Sequence, residues 1–263
     1  MMQRIWKKIR YWIFWLGLLA YSLLVMSAVS AYERKIPCQV LRVIVKDSVE
    51  LRFVERREVG KKLLNEQTGL LGASLSLINT HEIEKGVEMH PFVRKAEAYT
   101  TSEGVLRVEI TQRKPVLRLI YPSQRSMYLD REGFLVPCAD IKPAHTLVCN
   151  GHLPDPGTVR SATQIDSLKN ASWYRQLYDM ALFIAENEFW SAQFEQVYVR
   201  PDLEVELVPR VGAHMIMLGS LENYRGKLHK LMVLYREGLS RVGWNQYEWI
   251  NLNYKDQVIC TKK

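Results

Sequence analysis

Six histidines and four cysteines are the side chains of this 263-residue chain best suited to metal or nucleophilic chemistry, and their spacing supports neither. His81, His90, His145, His152, His214 and His229 are dispersed, and His81-Glu82 lacks the second histidine, one helical turn on, of a zinc peptidase. Cys38, Cys138, Cys149 and Cys260 form no C-x-x-C pair and no cysteine-histidine set of zinc-binding spacing. In an oxidising compartment Cys138 and Cys149 are candidates for a bridge; four thiols allow several pairings, and buried unbridged cysteines are the equal alternative. No G-x-S-x-G elbow, phosphate-cradling glycine loop or dinucleotide fingerprint occurs. Asn170-Ala171-Ser172 fits a glycosylation triplet, which matters only in a eukaryotic secretory setting. The expectation is a protein that is no enzyme, with no catalytic, cofactor-binding or metal-binding residue and no small-molecule substrate. What remains is the chemistry of surfaces.

The first surface is apolar. Tyr11 to Tyr32 carries no charge, and at about 1.5 Å per helical residue it reaches roughly 33 Å, enough for a hydrocarbon core of about 30 Å. Tyr11, Trp12, Trp15 and Tyr32 stand at its ends as interfacial anchors for membrane lipid. Arg4, Lys7, Lys8 and Arg10 precede it with no anion among them, so residues 1–10 are expected in the cytoplasm and everything after the helix outside it. A cleaved signal peptide is the competing reading, since Ser27 to Ala31 offers small residues, but signal h-regions run about 7–15 residues.

Four of the eight excess positive charges belong to that N-terminal tail, and the rest are interspersed with acids. This is a solvated surface without a nucleic-acid stripe. The remaining length suits one or two packed domains.

Along the chain, Val40 to Lys46 reads as a strand and Phe53 to Gln67 as a helix. Asn79 and Glu82 resemble a capping box for a short helix through Val87, which Pro91 closes. Phe92 to Tyr99 and Val105 to Gln112 alternate apolar and polar residues about the Thr101-Ser102-Glu103-Gly104 turn, as a hairpin does. A second hairpin surrounds Asp130-Arg131-Glu132-Gly133. Lys142 to Arg160, rich in Pro, Gly and His, reads as a loop; Trp173 to Glu188 reads as an amphipathic helix. Leu203 to Leu207 alternates like a strand with one wet face, Met215 to Leu218 is a short strand, and Leu221 to Tyr235 marks a helix face. Trp249 to Tyr254, the polar Lys255-Asp256 and Gln257 to Cys260 form a kinked strand or tight hairpin.

The β-α-α-β-β order, with Met89-His90-Pro91-Phe92-Val93 leading into its hairpin, resembles the POTRA module found beside bacterial membranes. Val105 to Ile110 followed by Gln112-Arg113-Lys114-Pro115-Val116, then the D-x-x-G hairpin and the strand-strand-helix series, resembles FtsQ/DivIB, a bitopic cell-division family. The resemblance implies an α+β chain: tail 1–10, transmembrane helix 11–32, POTRA-like domain 33–114, then a mainly antiparallel β domain 115–263 with flanking helices. It implies a non-catalytic divisome scaffold of the inner membrane, periplasmic beyond the helix, that supports septum assembly by binding FtsB- and FtsL-like proteins through strand addition at its C-terminal edge. Asn253, Tyr254, Asp256, Gln257 and Val258 are the edge residues so implied, and the Arg200-Pro201-Asp202 turn is the next candidate. Where the family has acidic and basic side chains before that tyrosine, Asn251 and Asn253 stand here. The alternatives are a POTRA-bearing transport or assembly component, which would carry further repeats or a barrel after Pro115, and a membrane-tethered hydrolase, for which no nucleophile and base converge in the sequence.

Overall fold

The computed structural model describes residues 12, 14–27, 36–47, 51–66, 69–138 and 144–263. Residues 14–27 are helical (α1), and large apolar side chains such as Leu16, Leu24 and Met26 are exposed along them. Trp12 and Trp15 are exposed too, whereas Tyr11 and Tyr32, the outer ends of the expected span, lie outside the described residues. Among the described residues no helix is long and apolar enough to cross a membrane. The chain beyond α1 divides into two compact units, each with its own sheet.

The first unit holds the described residues up to Asp47 together with Val54–Glu88 and Lys95–Thr111. Its elements are β1 (Val40–Val45), α2 (Arg56–Glu66), a 3-10 turn at Leu75–Leu77, α3 (Thr80–Glu88), β2 (Val93–Thr101) and β3 (Val105–Gln112). The helix expected from Phe53 starts at Arg56. α3 opens as the sequence predicts, with Asn79 Oδ1 accepting the Glu82 N–H at 3.4 Å. The β2-β3 turn closes at Gly104, whose φ of 78° suits a residue without a Cβ. β1 then pairs parallel to β3, Val40 opposite Val105 through Val45 opposite Ile110, giving the strand order β1-β3-β2. Leu106, Val108 and Ile110 of β3 and Ile83 of α3 are fully buried, and Val59 and Leu63 of α2 and Val87 of α3 are buried with them. A POTRA-like β-α-α-β-β fold is thus in place.

The second unit holds the described residues of Ser48–Phe53 together with Met89–Arg94 and Gln112–Lys263. Its strands are β4 (Pro115–Ile120), β5 (Ser126–Asp130), β6 (Phe134–Pro137), β7 (Leu147–Gly151), β8 (Thr163–Gln164), β9 (Phe194–Val199), β10 (Val205–Pro209), β11 (Met215–Gly219), β12 (Tyr247–Asn251) and β13 (Ile259–Lys262). They form one sheet in the order β13-β12-β11-β10-β9-β7-β4-β5-β6-β8. Most pairings are antiparallel, but β4-β7, β7-β9 and β11-β12 are parallel, so the domain is mainly antiparallel with a parallel centre. Helices α4 (Ala171–Glu186), α5 (Glu188–Gln193) and α6 (Tyr224–Val233, continuing as a π-helical Leu234–Leu239 and a last turn α7, Ser240–Val242) supply Tyr174, Leu177, Trp190, Leu228 and Tyr235 to its core.

Three expectations are corrected. The loop from Lys142 to Arg160 contains β7, which lies between β4 and β9, because Leu147, Val148 and Cys149 supply a short apolar run that the surrounding Pro and Gly mask. The strand expected over Leu203 to Leu207 begins at Val205, since Leu203 takes a left-handed φ of 65° in the preceding turn. Its expected wet face is also wrong, because Val205, Glu206 and Leu207 are all buried. The bridge between Cys138 and Cys149 is not made; all four cysteines are thiols, and burial pushes the Cys149 thiol well above its ordinary range.

The Asp130 hairpin shows why the D-x-x-G spacing is informative. Asp130 Oδ1 accepts the N–H groups of Glu132 and Phe134 at 2.9 and 2.8 Å, and Gly133 carries the positive φ at the turn's end. The buried carboxylate also meets Arg113 Nη1 at 2.8 Å. Phe53, Phe92 and Tyr128 cluster beside it, with ring centroids 4.7 to 6.0 Å apart.

Candidate partner-binding edge

β13 is the outermost strand at one end of the ten-stranded sheet. At the other end β8 is only two residues long, too short to template another strand. β13 pairs antiparallel to β12, with Asn251 opposite Ile259, Ile250 opposite Cys260 and Trp249 opposite Thr261. Lys263 N–H donates inward to the Gln246 carbonyl at 3.4 Å. Alternation along an extended strand therefore turns the backbone groups of Ile259 and Thr261 toward β12 and those of Cys260 and Lys262 outward. The outward row is what an incoming strand would pair with.

The face of the sheet beside this edge is built by register. Tyr198 lies opposite Glu206, Glu206 opposite Met217, Met217 opposite Asn251, and Asn251 opposite Ile259, a row crossing five strands. The neighbouring positions Ile216, Leu218 and Ile250 point the other way and are fully buried. A groove of about 360 Å³ opens along the row, lined by Arg200, Glu206, Met217, Trp249, Asn251, Tyr254, Ile259 and Thr261. Its walls are half apolar, and its floor carries one acid. Burial raises the Glu206 carboxyl above its ordinary range, against the pull of Arg200, whose Nη1 stands 3.7 Å from Glu206 Oε1. Arg200 also pairs with Asp202 at 3.2 Å, which fixes the guanidinium at the groove rim.

The residues expected to form the edge are placed differently. Asn253, Tyr254, Asp256 and Gln257 lie in the turn between β12 and β13, and Val258 precedes the strand with its side chain packed against the core. The edge strand is Ile259–Lys262, so a proline at Val258 would not interrupt its ladder. The polar run Asn253 to Gln257 bends the chain because its carbonyls are gathered by one cation: Lys230 Nζ donates to the carbonyls of Leu252 at 3.0 Å, Lys255 at 3.4 Å and, closest, Tyr254. Asn253 packs where Gly219 leaves room, and a Cβ at 219, which has φ +73°, would overlap its amide. The turn is thereby held, and Tyr254, 46 % exposed, stands over the groove.

Of the candidates read from the sequence, Arg200 and Tyr254 come together in one groove, while Asp256 and Gln257 line no part of it. Glu206, Met217, Trp249, Ile259 and Thr261 were missed. The alternation Trp249-Ile250-Asn251 signals two of the groove's residues, and Glu206 answers to the nearby Arg200, whereas nothing local signals Lys230, whose partners lie more than twenty residues on. Among the described residues no group of His, Cys, Asp and Glu is arranged to hold a metal ion.

Comparison with known families agrees with this geometry. A family model described as FtsQ/DivIB, C-terminal related, matches residues 114–261, more than half of the chain, and one described as a POTRA-like domain matches residues 36–111. No curated protein matches the chain.

Proposed function

Because the chain belongs to the FtsQ/DivIB family, we propose that it is a non-catalytic divisome scaffold whose C-terminal edge takes a strand from an FtsB- or FtsL-like partner. In this reading the run from Tyr11 to Tyr32 anchors the protein in the inner membrane, the N-terminal tail stays in the cytoplasm, and both units lie in the periplasm. The observation that carries the proposal is the pairing of an open edge with a groove. β13 offers the outward backbone groups of Cys260 and Lys262, and the groove rimmed by Arg200 and Tyr254 can receive a side chain of the added strand. Main-chain bonds would then supply register and affinity, and the groove selectivity. Tethering to one membrane raises the effective concentration of such partners, so each contact need only be modest.

The test uses the full chain in detergent and titrates an FtsB-like periplasmic segment. Lys262→Pro removes an outward N–H while sparing the bonds to β12, a substitution that edge strands tolerate. Binding is expected to weaken at least tenfold with the circular dichroism spectrum unchanged. Tyr254→Ala, which strips an aromatic anchor from the groove, is expected to weaken it comparably. Full affinity in both folded variants would place the partner elsewhere and overturn the reading.

A further inference from the structure

β2 is one of the two outer strands of the three-stranded sheet, so alternate N–H groups along it face away from β3. Two of them are already taken. Ala96 N–H donates to Glu88 Oε1 at 3.0 Å, and Ala98 N–H donates to Glu84 Oε1 at 2.8 Å. The two elements are commensurate: glutamates one helical turn apart on α3 are separated by about 5–6 Å, and strand residues two apart by about 6.7 Å. α3 buries Ile83 and Val87, which fixes the carboxylates along the strand. A charged acceptor on a backbone N–H is the stronger kind of hydrogen bond, and the edge is closed by two of them.

We propose that Glu84 and Glu88 are a latch that keeps β2 from pairing with β2 of a second copy of this chain. The strand's own sequence names the occupant. Antiparallel pairing centred on Ala96 sets Ala96 opposite Ala96, a position whose N–H faces outward as that of Ala98 does. The same register puts Lys95 of each copy opposite Glu97 of the other, two cross-strand pairs of opposite charge. Within one chain these side chains already meet, Lys95 Nζ lying 2.6 Å from Glu97 Oε1. Such a pairing is isologous and closes at the dimer. The edge is therefore self-complementary about Ala96 and in charge, and the two carboxylates occupy outward donors that the dimer would need.

Sedimentation of the full chain in detergent tests this, read as the monomer–dimer constant. Glu84→Ala with Glu88→Ala is expected to tighten dimerisation at least tenfold over the unsubstituted chain. Glu84→Gln with Glu88→Gln keeps an acceptor oxygen at each site and is expected to change it little. Adding Ala96→Pro to the alanine pair removes the central outward donor without touching the β3 ladder and should abolish the gain; Glu97→Lys should weaken it by setting like charges opposite each other. Should the alanine pair unfold, Glu88→Ala alone frees the central N–H and is expected to shift the constant in the same direction. An unchanged constant in the folded alanine variants, or a dimer that persists with Ala96→Pro, would overturn the proposal.

Discussion

His214 is the residue whose chemistry reaches furthest into the stability of the β unit. It is 2 % exposed, its Nε2 lies 3.1 Å from Tyr235 Oη, and burial holds the imidazole below its ordinary pKa. The folded chain therefore prefers the neutral ring, while the unfolded chain takes up a proton near pH 6.5. Above that pH neither state gains. As pH falls through about 6.5 the unfolded state binds the proton first, and stability declines until the lower folded pKa is reached. Urea denaturation between pH 8 and 5 is expected to show this decline, and His214→Gln to flatten it; a slope that persists in the variant would assign it to other groups. Nothing in the sequence around His214 distinguished it from the five exposed or partly exposed histidines, because its burial is set by Tyr235 and Trp244 from other segments. Asp130 is the opposite case. Its partners Glu132 and Phe134 lie within four residues, so the spacing alone identified the turn.

Elements separate along the same line. α3, α4 and the two hairpins were legible because caps, turns and amphipathic stripes are local signals, while β7 draws its stability from two parallel neighbours, β4 and β9, that no window along the chain contains. The β12-β13 connection is an element of the second kind. Its polar residues predict a turn, but its conformation depends on Lys230, which joins it from α6. Lys230→Met should remove a charged donor from three carbonyls, a loss of about 1.5–3 kcal/mol at the turn. Hydrogen exchange is expected to quicken from Leu252 to Lys255 while the amides of β10 and β11 keep their protection, and partner affinity should fall with it. Undisturbed exchange in the turn would show that Asn253 and Gly219 suffice to hold it.

At the scale of the whole molecule, β3 ends at Gln112 in one sheet and β4 begins at Pro115 in the other. The chemistry of the β unit starts a little earlier. Gln112, fully buried, accepts the Phe53 N–H at 3.1 Å, and Arg113 neutralises Asp130. A fragment from Val116 to Lys263 leaves that buried carboxylate without its cation, and removing one partner of a buried pair costs about 3–5 kcal/mol. The fragment from Gln112 to Lys263 is therefore expected to resist urea measurably better. Equal midpoints would mean that the backbone donors of Glu132 and Phe134 satisfy Asp130 alone.

The parallel centre of the large sheet also sets a tempo. β7 must find β4 across the segment from Ile120 to Leu147 and β9 across the segment from Gly151 to Phe194, and each closure spends chain entropy before any ladder bond returns it. Hairpins such as β5-β6 form in microseconds, but the strand that joins the two halves of the sheet waits on these distant encounters. Until β7 is seated, β4 and β9 each stand as an open border. A folding chain thus passes through a period in which the inner edges of β4 and β9, and not only that of β13, stand open, which places the hazard of mispairing in the middle of the sequence as well as at its end.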